Sequence, residues 1–491
     1  MKNIIKYISI FSLTLVFTKN LYCQDIELKS NVFTINQLQN DFNVFRESLE
    51  ESHIGLYLYN SKTQMDSIFN AGYASIKNEM TAREFTVLIC KITSQIGDGH
   101  MKITLPEDEA EAIEKGPTQI PFRVYYYENK LFVFKNFTSL PDQDFLGAEI
   151  TSINGHSMIE FMKEYLSTYN ADGKNLTMKY RLLSRTNRNS FTYSFNLLYG
   201  YQEKYNVSYI PINDSITKTT TFQGIYLDSL LKISEQRYPK KNADQTPIFF
   251  EVQPDSAYAY LRVKSFMPDT YVESKINYEK FLKKSFSELA TKNIQNLILD
   301  LRDNPGGEKS ELLYSYFAKS DFRLCKSVCM NKQNYDCYKY PDKSISNHRF
   351  PKKDLKPNSY GTFDLTNFPD FHSPSLPTFN GKIFVLMDGA CYSATSELLS
   401  MLHSYTNAVF IGEESGGMYY GNVAYWNIYL QLPNTAMNMK IPIVQTTLQV
   451  KDYLYTDRGL MPNYTVVPTV EEKMKGIDPE FNFVMKLILK K

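Results

Sequence analysis

Ser393 stands where the apolar run Ile383-Phe384-Val385-Leu386-Met387 gives way to Asp388-Gly389-Ala390-Cys391-Tyr392 and then to a helical pattern. A serine at a strand-to-helix junction can do nucleophilic chemistry for two reasons. Its hydroxyl projects from a tight turn at a sheet edge. The helix start also offers free N–H groups and a partial positive charge to a forming oxyanion. A serine there can equally serve only as a helix cap. Three other segments change the weighting. Asp300-Leu301-Arg302-Asp303-Asn304-Pro305-Gly306-Gly307 follows a second apolar strand and ends in a glycine pair that lets a substrate approach the backbone. Gly412-Glu413-Glu414-Ser415-Gly416-Gly417 is another glycine turn after a strand, and Gly97-Asp98-Gly99-His100 places a histidine in a loop after a helix.

Taken in this order, and with Arg458-Gly459-Leu460-Met461-Pro462 near the end, these segments resemble the C-terminal-processing (tail-specific) and tricorn-like serine peptidases. The resemblance spans about residues 255–470, with anchors at Gly97–Met101 and in a PDZ-like stretch around Leu146–His156. It implies an α/β protein: a crotonase-like peptidase core of stacked ββα units, an N-terminal helical cap and a PDZ-like β-rich domain. It also implies that Ser393 is the nucleophile, and that the oxyanion is held by the N–H of Ala394 and one N–H from Gly306 or Gly307. Family members with a Ser–Lys pair carry lysine in the turn after Gly-Glu. Here that slot holds Met418, and the slot four residues on holds Asn422. Methionine cannot accept a proton, so the base falls to His100, as in the tricorn-like branch. A carboxylate or hydroxyl should orient His100. Asp457 is the candidate by position, Asp98 the local alternative and Glu414 the third. Cys391 and Ser396 also depart from the usual family residues without removing a catalytic group.

The elements that must position these groups are legible as patterns. Phe42, Phe45, Leu49 and Leu56 recur at helical spacing, as do Phe85, Leu88, Ile92 and Ile96; the first helix is expected to end near His53-Ile54-Gly55. Residues 117–250 read as strands, with turns at Glu128-Asn129 and Asn154-Gly155. From about 255, strands alternate with helices, including one expected over Tyr278–Thr291. The expected division is 1–23 signal peptide, 24–115 helical domain with the Asp-Gly-His loop, 116–250 PDZ-like region, 251–475 peptidase core and 476–491 tail. A long insertion at about 325–375 is read as a flap over the site.

Lys2 and Lys6 precede an apolar run from Ile8 to Phe17 and a polar exit at Thr18–Gln24, the layout of a secretory signal peptide. Cleavage before Gln24 is expected, with lipid anchoring at Cys23 as the rival, so the protein is expected to be secreted or periplasmic without an integral membrane segment. The 54 basic and 53 acidic residues leave a net charge of +1, and no basic runs with interleaved aromatics occur. Nucleic acid is therefore not an expected partner. Of six cysteines, Cys325, Cys329 and Cys337 cluster, which would allow one bridge. No histidine pair has the spacing of a helical zinc site, so neither metal nor cofactor is expected. His53, His156, His348, His372 and His403 are read as structural or surface residues. The expected partner is a polypeptide, and the oligomeric state is open. The leading reading is a serine endopeptidase acting on extended polypeptides through an acyl-enzyme on Ser393. The alternatives are a catalytically inactive peptide- or ligand-binding protein and, behind it, a hydratase or thioester enzyme on the same architecture.

Overall fold

The computed structural model describes residues 31–489 except 185–189, 240–241, 255–256, 343–351 and 369. The expected signal segment, Cys23 and His348 lie outside the described residues. No described helix is long and apolar enough to cross a membrane.

The protein is mixed α/β. Its central sheet runs in the order Ile248–Val252, Ala259–Val263, Asn296–Asp300, Lys382–Met387, Val409–Gly412, Tyr464–Thr465, antiparallel at the first pair and parallel thereafter. The strands Asn296–Asp300 and Lys382–Met387 are buried on both faces, which is why they read as continuous apolar runs. The helix Tyr278–Thr291 packs beside them, with Leu282, Phe286 and Leu289 inward at helical spacing. In open parallel sheets the crevice outside the carboxyl ends of the strands is where ligands bind. The Gly306, Ser393 and Gly416 turns all leave from those ends.

A second sheet, Leu355–Pro357, Phe363–Leu365, Cys325–Met330, Asn438–Leu448 and Gly421–Gln431, stands beside the first. The stretch expected as a flap is thus partly sheet: Cys325–Met330 pairs with Asn438–Leu448, burying Cys325, Val328 and Met330. All five described cysteines are free.

The N-terminal helices share one apolar core with these sheets. Asp41, on the helix Ile35–Ser52, accepts the N–H groups of Asn434 and Thr435 at 2.9 and 2.8 Å, bonding that helix to a turn of the second sheet. The strand Lys102–Thr104 then pairs antiparallel with Asn438–Lys440. That pairing carries the segment just after His100 across the molecule. Residues 122–223 form a separate antiparallel sheet with its own core, capped by the helix Met158–Thr168. Both of its sharp turns take left-handed φ at two successive residues, Glu128-Asn129 (46° and 64°) and Asn154-Gly155 (49° and 83°), as tight hairpins require.

Candidate active site

Ser393 occupies the N-cap position of the helix Ala394–Tyr405, yet its side chain makes no capping hydrogen bond. Its backbone sits at φ 55°, ψ −128°, a conformation that a non-glycine residue adopts only under constraint. The turn is fixed from both sides: Cys391 Sγ donates to the Leu301 carbonyl at 3.0 Å, and the Tyr392 N–H donates to the Asn304 carbonyl at 3.1 Å. Freed from capping, Ser393 Oγ lies 3.1 Å from His100 Nε2 across a separation of 293 residues.

The Gly97–Met101 loop is equally well held. Gly97 ends the helix Ala82–Ile96 in the left-handed conformation. Asp98 Oδ1 accepts the His100 N–H at 2.7 Å, while Asp98 Oδ2 meets His53 Nε2 at 2.7 Å. His53 is the C-cap of the first helix, where the sequence pattern stops. Burial lowers the pKa of His100 to about 4, with Lys440 and Lys102 pushing the same way against Asp98. At neutral pH the imidazole is therefore uncharged and able to accept a proton.

On its other nitrogen, Nδ1, His100 meets the Tyr392 hydroxyl at 2.7 Å, and the two rings stack with centroids 4.6 Å apart. The Tyr392 hydroxyl donates to Asp172 Oδ1 at 2.9 Å, which also accepts the Gly99 N–H at 2.7 Å. Burial, followed by the nearby Asp98 charge, raises the Asp172 carboxyl to about 7. Asp172 comes from the segment joining the helices Met158–Thr168 and Thr177–Leu182. Gly173 N–H donates to the Gly97 carbonyl at 2.9 Å, and Asn175 Nδ2 to the Ser415 carbonyl at 2.7 Å, so this segment is bonded to both sides of the site. Neither Tyr392 nor Asp172 was singled out from sequence.

The glycine pair lies against the serine. A Cβ on Gly306 (φ 94°) would fall 2.8 Å from Ser393 Cβ and 2.9 Å from Ala394 N, so no side chain fits. The Gly306 N–H donates to Asn304 Oδ1 at 2.9 Å. Around Gly307 the chain pairs with Phe266: the Phe266 N–H donates to the Gly306 carbonyl and the Glu308 N–H to the Phe266 carbonyl. In such parallel pairing the Gly307 N–H points to the opposite side. That is the side on which Lys382–Met387 runs toward Ser393.

Asp457 is not brought to His100. Its Oδ2 pairs with Lys174 Nζ at 2.6 Å, with the lysine side chain 77% exposed, and its carbonyl accepts the Lys174 N–H. The position beside Nδ1 belongs to the Tyr392 hydroxyl instead. Glu414 is equally committed elsewhere: it accepts from Arg458 Nε and the Gly459 N–H, both at 3.0 Å. Met418 is buried, and Asn422 Nδ2 donates to Glu397 at 2.9 Å. The other described histidines stay away from the serine. His156 stacks on Tyr199, His372 on Phe322, and His403 bonds the Tyr419 hydroxyl.

Residues 257–441 match the profile of peptidase family S41. The chain carries a peptidase family S41 domain. By that match it is a serine-type peptidase, and the resemblance read from its motifs holds at that level. Among solved structures, mature CPAF complexed with lactacystin superposes with a TM-score of 0.60 at 13% identity, covering 93% of this chain and 99% of that one. Mature CPAF alone gives 0.58 at 12%, covering 92% and 96%. At such identities the likeness shows a shared fold over nearly the whole of both chains. The photosystem II D1 C-terminal processing protease gives 0.40 at 13% identity, covering 89% and 96%. No curated protein matches the sequence.

Proposed function

We propose that the protein is an endopeptidase that cleaves extended polypeptides through an acyl-enzyme on Ser393, with His100 as general base. The observation that carries the reading is the 3.1 Å contact between His100 Nε2 and a Ser393 hydroxyl that declines its capping role. Neutral His100 takes the Ser393 proton as Oγ attacks the peptide carbonyl. The oxyanion forms between the N–H groups of Ala394, at the helix start, and Gly307; Gly306 shapes the cradle but has its own N–H engaged by Asn304. The imidazolium then protonates the leaving amine, and a water deacylates the serine by the reverse path. The tail-specific character, the crotonase-like description of the core and the PDZ-like description of the 122–223 sheet belong to the same reading, supported by the motif order and the Asn154-Gly155 hairpin. So does export to the periplasm or beyond, supported by the basic start and short apolar run of residues 2–17.

The test is cleavage of an unfolded protein by the purified chain and by Ser393→Ala. The variant is expected to lose activity by a factor on the order of 10⁴ or more. Cleavage at the parent rate would remove the assignment. Labelling of the parent by a fluorophosphonate, absent in Ser393→Ala and His100→Ala, is expected for an active site and would not occur in a purely ligand-binding protein.

A further inference from the structure

The proton arrangement around His100 is over-determined. Tyr392 has one hydroxyl hydrogen and two neighbours, Asp172 Oδ1 at 2.9 Å and His100 Nδ1 at 2.7 Å. Asp172 Oδ1 already accepts the Gly99 N–H and stays an acceptor whether or not the other carboxyl oxygen carries a proton, so the hydroxyl hydrogen goes to Asp172 and the hydroxyl oxygen accepts from Nδ1–H. His100 is then the tautomer with a bare Nε2, and that atom faces Ser393 Oγ. We infer that Tyr392 and Asp172 are the positioning arm of the site: a hydroxyl placed between imidazole and carboxylate that holds His100 in the tautomer able to accept the serine proton. The inference rests on the reading of Ser393 and His100 given above.

No proton travels along this arm. When Nε2 takes the Ser393 hydrogen, Nδ1 keeps its own, and the imidazolium is stabilised through the hydroxyl by the carboxylate beyond it. Two independent features support the assignment. The first is Gly99, the middle residue of Asp-Gly-His. A Cβ there would lie 2.6 Å from the Tyr392 hydroxyl oxygen and 3.1 Å from Asp172 Oδ1, in the space that the two groups use. Its φ is not in the left-handed region, so the demand for glycine at this position comes from the arm, not the backbone. The second is how rigidly the parts are held. The Tyr392 ring is packed with Ala171, Met178 and Leu182. Asp172 is fixed by the Gly99 N–H and by the Gly173 and Asn175 hydrogen bonds on either side. Because Asp172 lies between two helices of the 122–223 region, that region supplies part of the positioning arm.

The experiment compares the full chain with Tyr392→Phe, Asp172→Asn, Gly99→Ala and Ser393→Ala, reading kcat and KM on one unfolded substrate and the ¹⁵N signals of labelled His100. Tyr392→Phe is expected to lower kcat by about ten- to a hundredfold while KM moves by less than about threefold, because orientation acts on the chemical step. The His100 signals should change from a single Nδ1–H tautomer in the parent to a mixture. Gly99→Ala should act in the same direction. If Tyr392→Phe proves unfolded, Asp172→Asn decides by the same two readings, since it keeps the shape of the carboxylate and removes its charge. The arm is overturned if the folded variant keeps kcat within about twofold of the parent and retains the Nδ1–H tautomer while Ser393→Ala is inactive. Parent-like cleavage by Ser393→Ala would instead reject the peptidase reading itself.

Discussion

Two histidine-bearing segments meet Asp98 from opposite sides, and only one of them reaches the serine. His53 ends the first helix, is wholly buried, and places Nε2 directly on Asp98 Oδ2 at 2.7 Å, with no hydrogen-bond partner for Nδ1 among the described residues. His100 is 12% exposed and uses both nitrogens, one toward Ser393 and one toward a neutral hydroxyl. Burial beside a carboxylate is therefore not what sets the proposed base apart. The difference lies in what each ring touches. His53 and Asp98 form a tie between the first helix and the Asp-Gly-His loop, whereas the Tyr392 hydroxyl stands between His100 and Asp172, and burial outweighs the Asp98 charge 3.9 Å from Nδ1 to keep the ring neutral.

The comparison can be broken most directly by removing each ring. His100→Ala should lower kcat by roughly 10²–10⁴-fold, with a melting temperature near that of the parent. His53→Ala should do the reverse. It leaves an Asp98 oxygen buried without its partner, which costs about 1–3 kcal/mol of stability, readable as a lower melting temperature with the chemical step largely retained. Inactivation by His53→Ala at unchanged stability would erase the distinction. Next in size is Gly306→Ala. Its Cβ would press on Ser393 Cβ, and alanine at φ 94° is strained. Displacement of the serine and its oxyanion donors is expected to lower kcat by about 10²-fold, with a matching loss of fluorophosphonate labelling.

A smaller, signed effect concerns pH. Folding lowers the pKa of His100 from 6.5 to about 4. The stability gained by keeping it neutral is full above pH 6.5 and is lost as pH falls toward 4. Asp172 is raised from 3.8 to about 7, so its contribution runs the other way, full below 3.8 and lost as pH rises through 7. In the parent the two oppose each other between pH 4 and 6.5. Asp172→Asn should therefore show a steeper loss of stability on acidification than the parent, measured by chemical denaturation at several pH values. The smallest expected effect is at the exposed Lys174–Asp457 pair. Asp457→Asn should change stability by less than about 1 kcal/mol and leave kcat near that of the parent. A large loss of kcat would restore Asp457 as the orienting acid.

Much of this was legible in the chain. The buried strands announce themselves as apolar runs, the helix over Tyr278–Thr291 has the expected ends, and the turn bearing Ser393 is a junction between two periodicities. The turn at Gly306-Gly307 was legible because both residues take φ values that favour glycine. Tyr392 stayed hidden because beside the proposed nucleophile it looks like any motif letter, and only the fold shows where its hydroxyl points. Asp172 lies in a β-rich stretch 220 residues before its partner Tyr392, and no local pattern marks a carboxylate whose use is tertiary. Gly99 carries a trace of both, readable only once the fold is known: it has no left-handed turn to make, and a Cβ there would meet the Tyr392 hydroxyl and Asp172. The sheet pairing inside the 325–375 insertion was not legible because Cys325–Met330 pairs with Asn438–Leu448, a partner more than a hundred residues further along.

The strand Lys102–Thr104 has one further consequence, for the order of events during synthesis. It ties the segment of the proposed base, His100, to Asn438–Lys440, so a growing chain can already contain the serine, its glycines and its helix and still lack the edge that brings the imidazole over. Such a nascent chain is expected to ignore a fluorophosphonate until the segment near residue 440 has emerged, and early labelling of a stalled chain ending before Asn438 would contradict this. On the proposed mechanism the topology would thus act as a delay: cutting power would wait for the strand that holds Lys102–Thr104 in place.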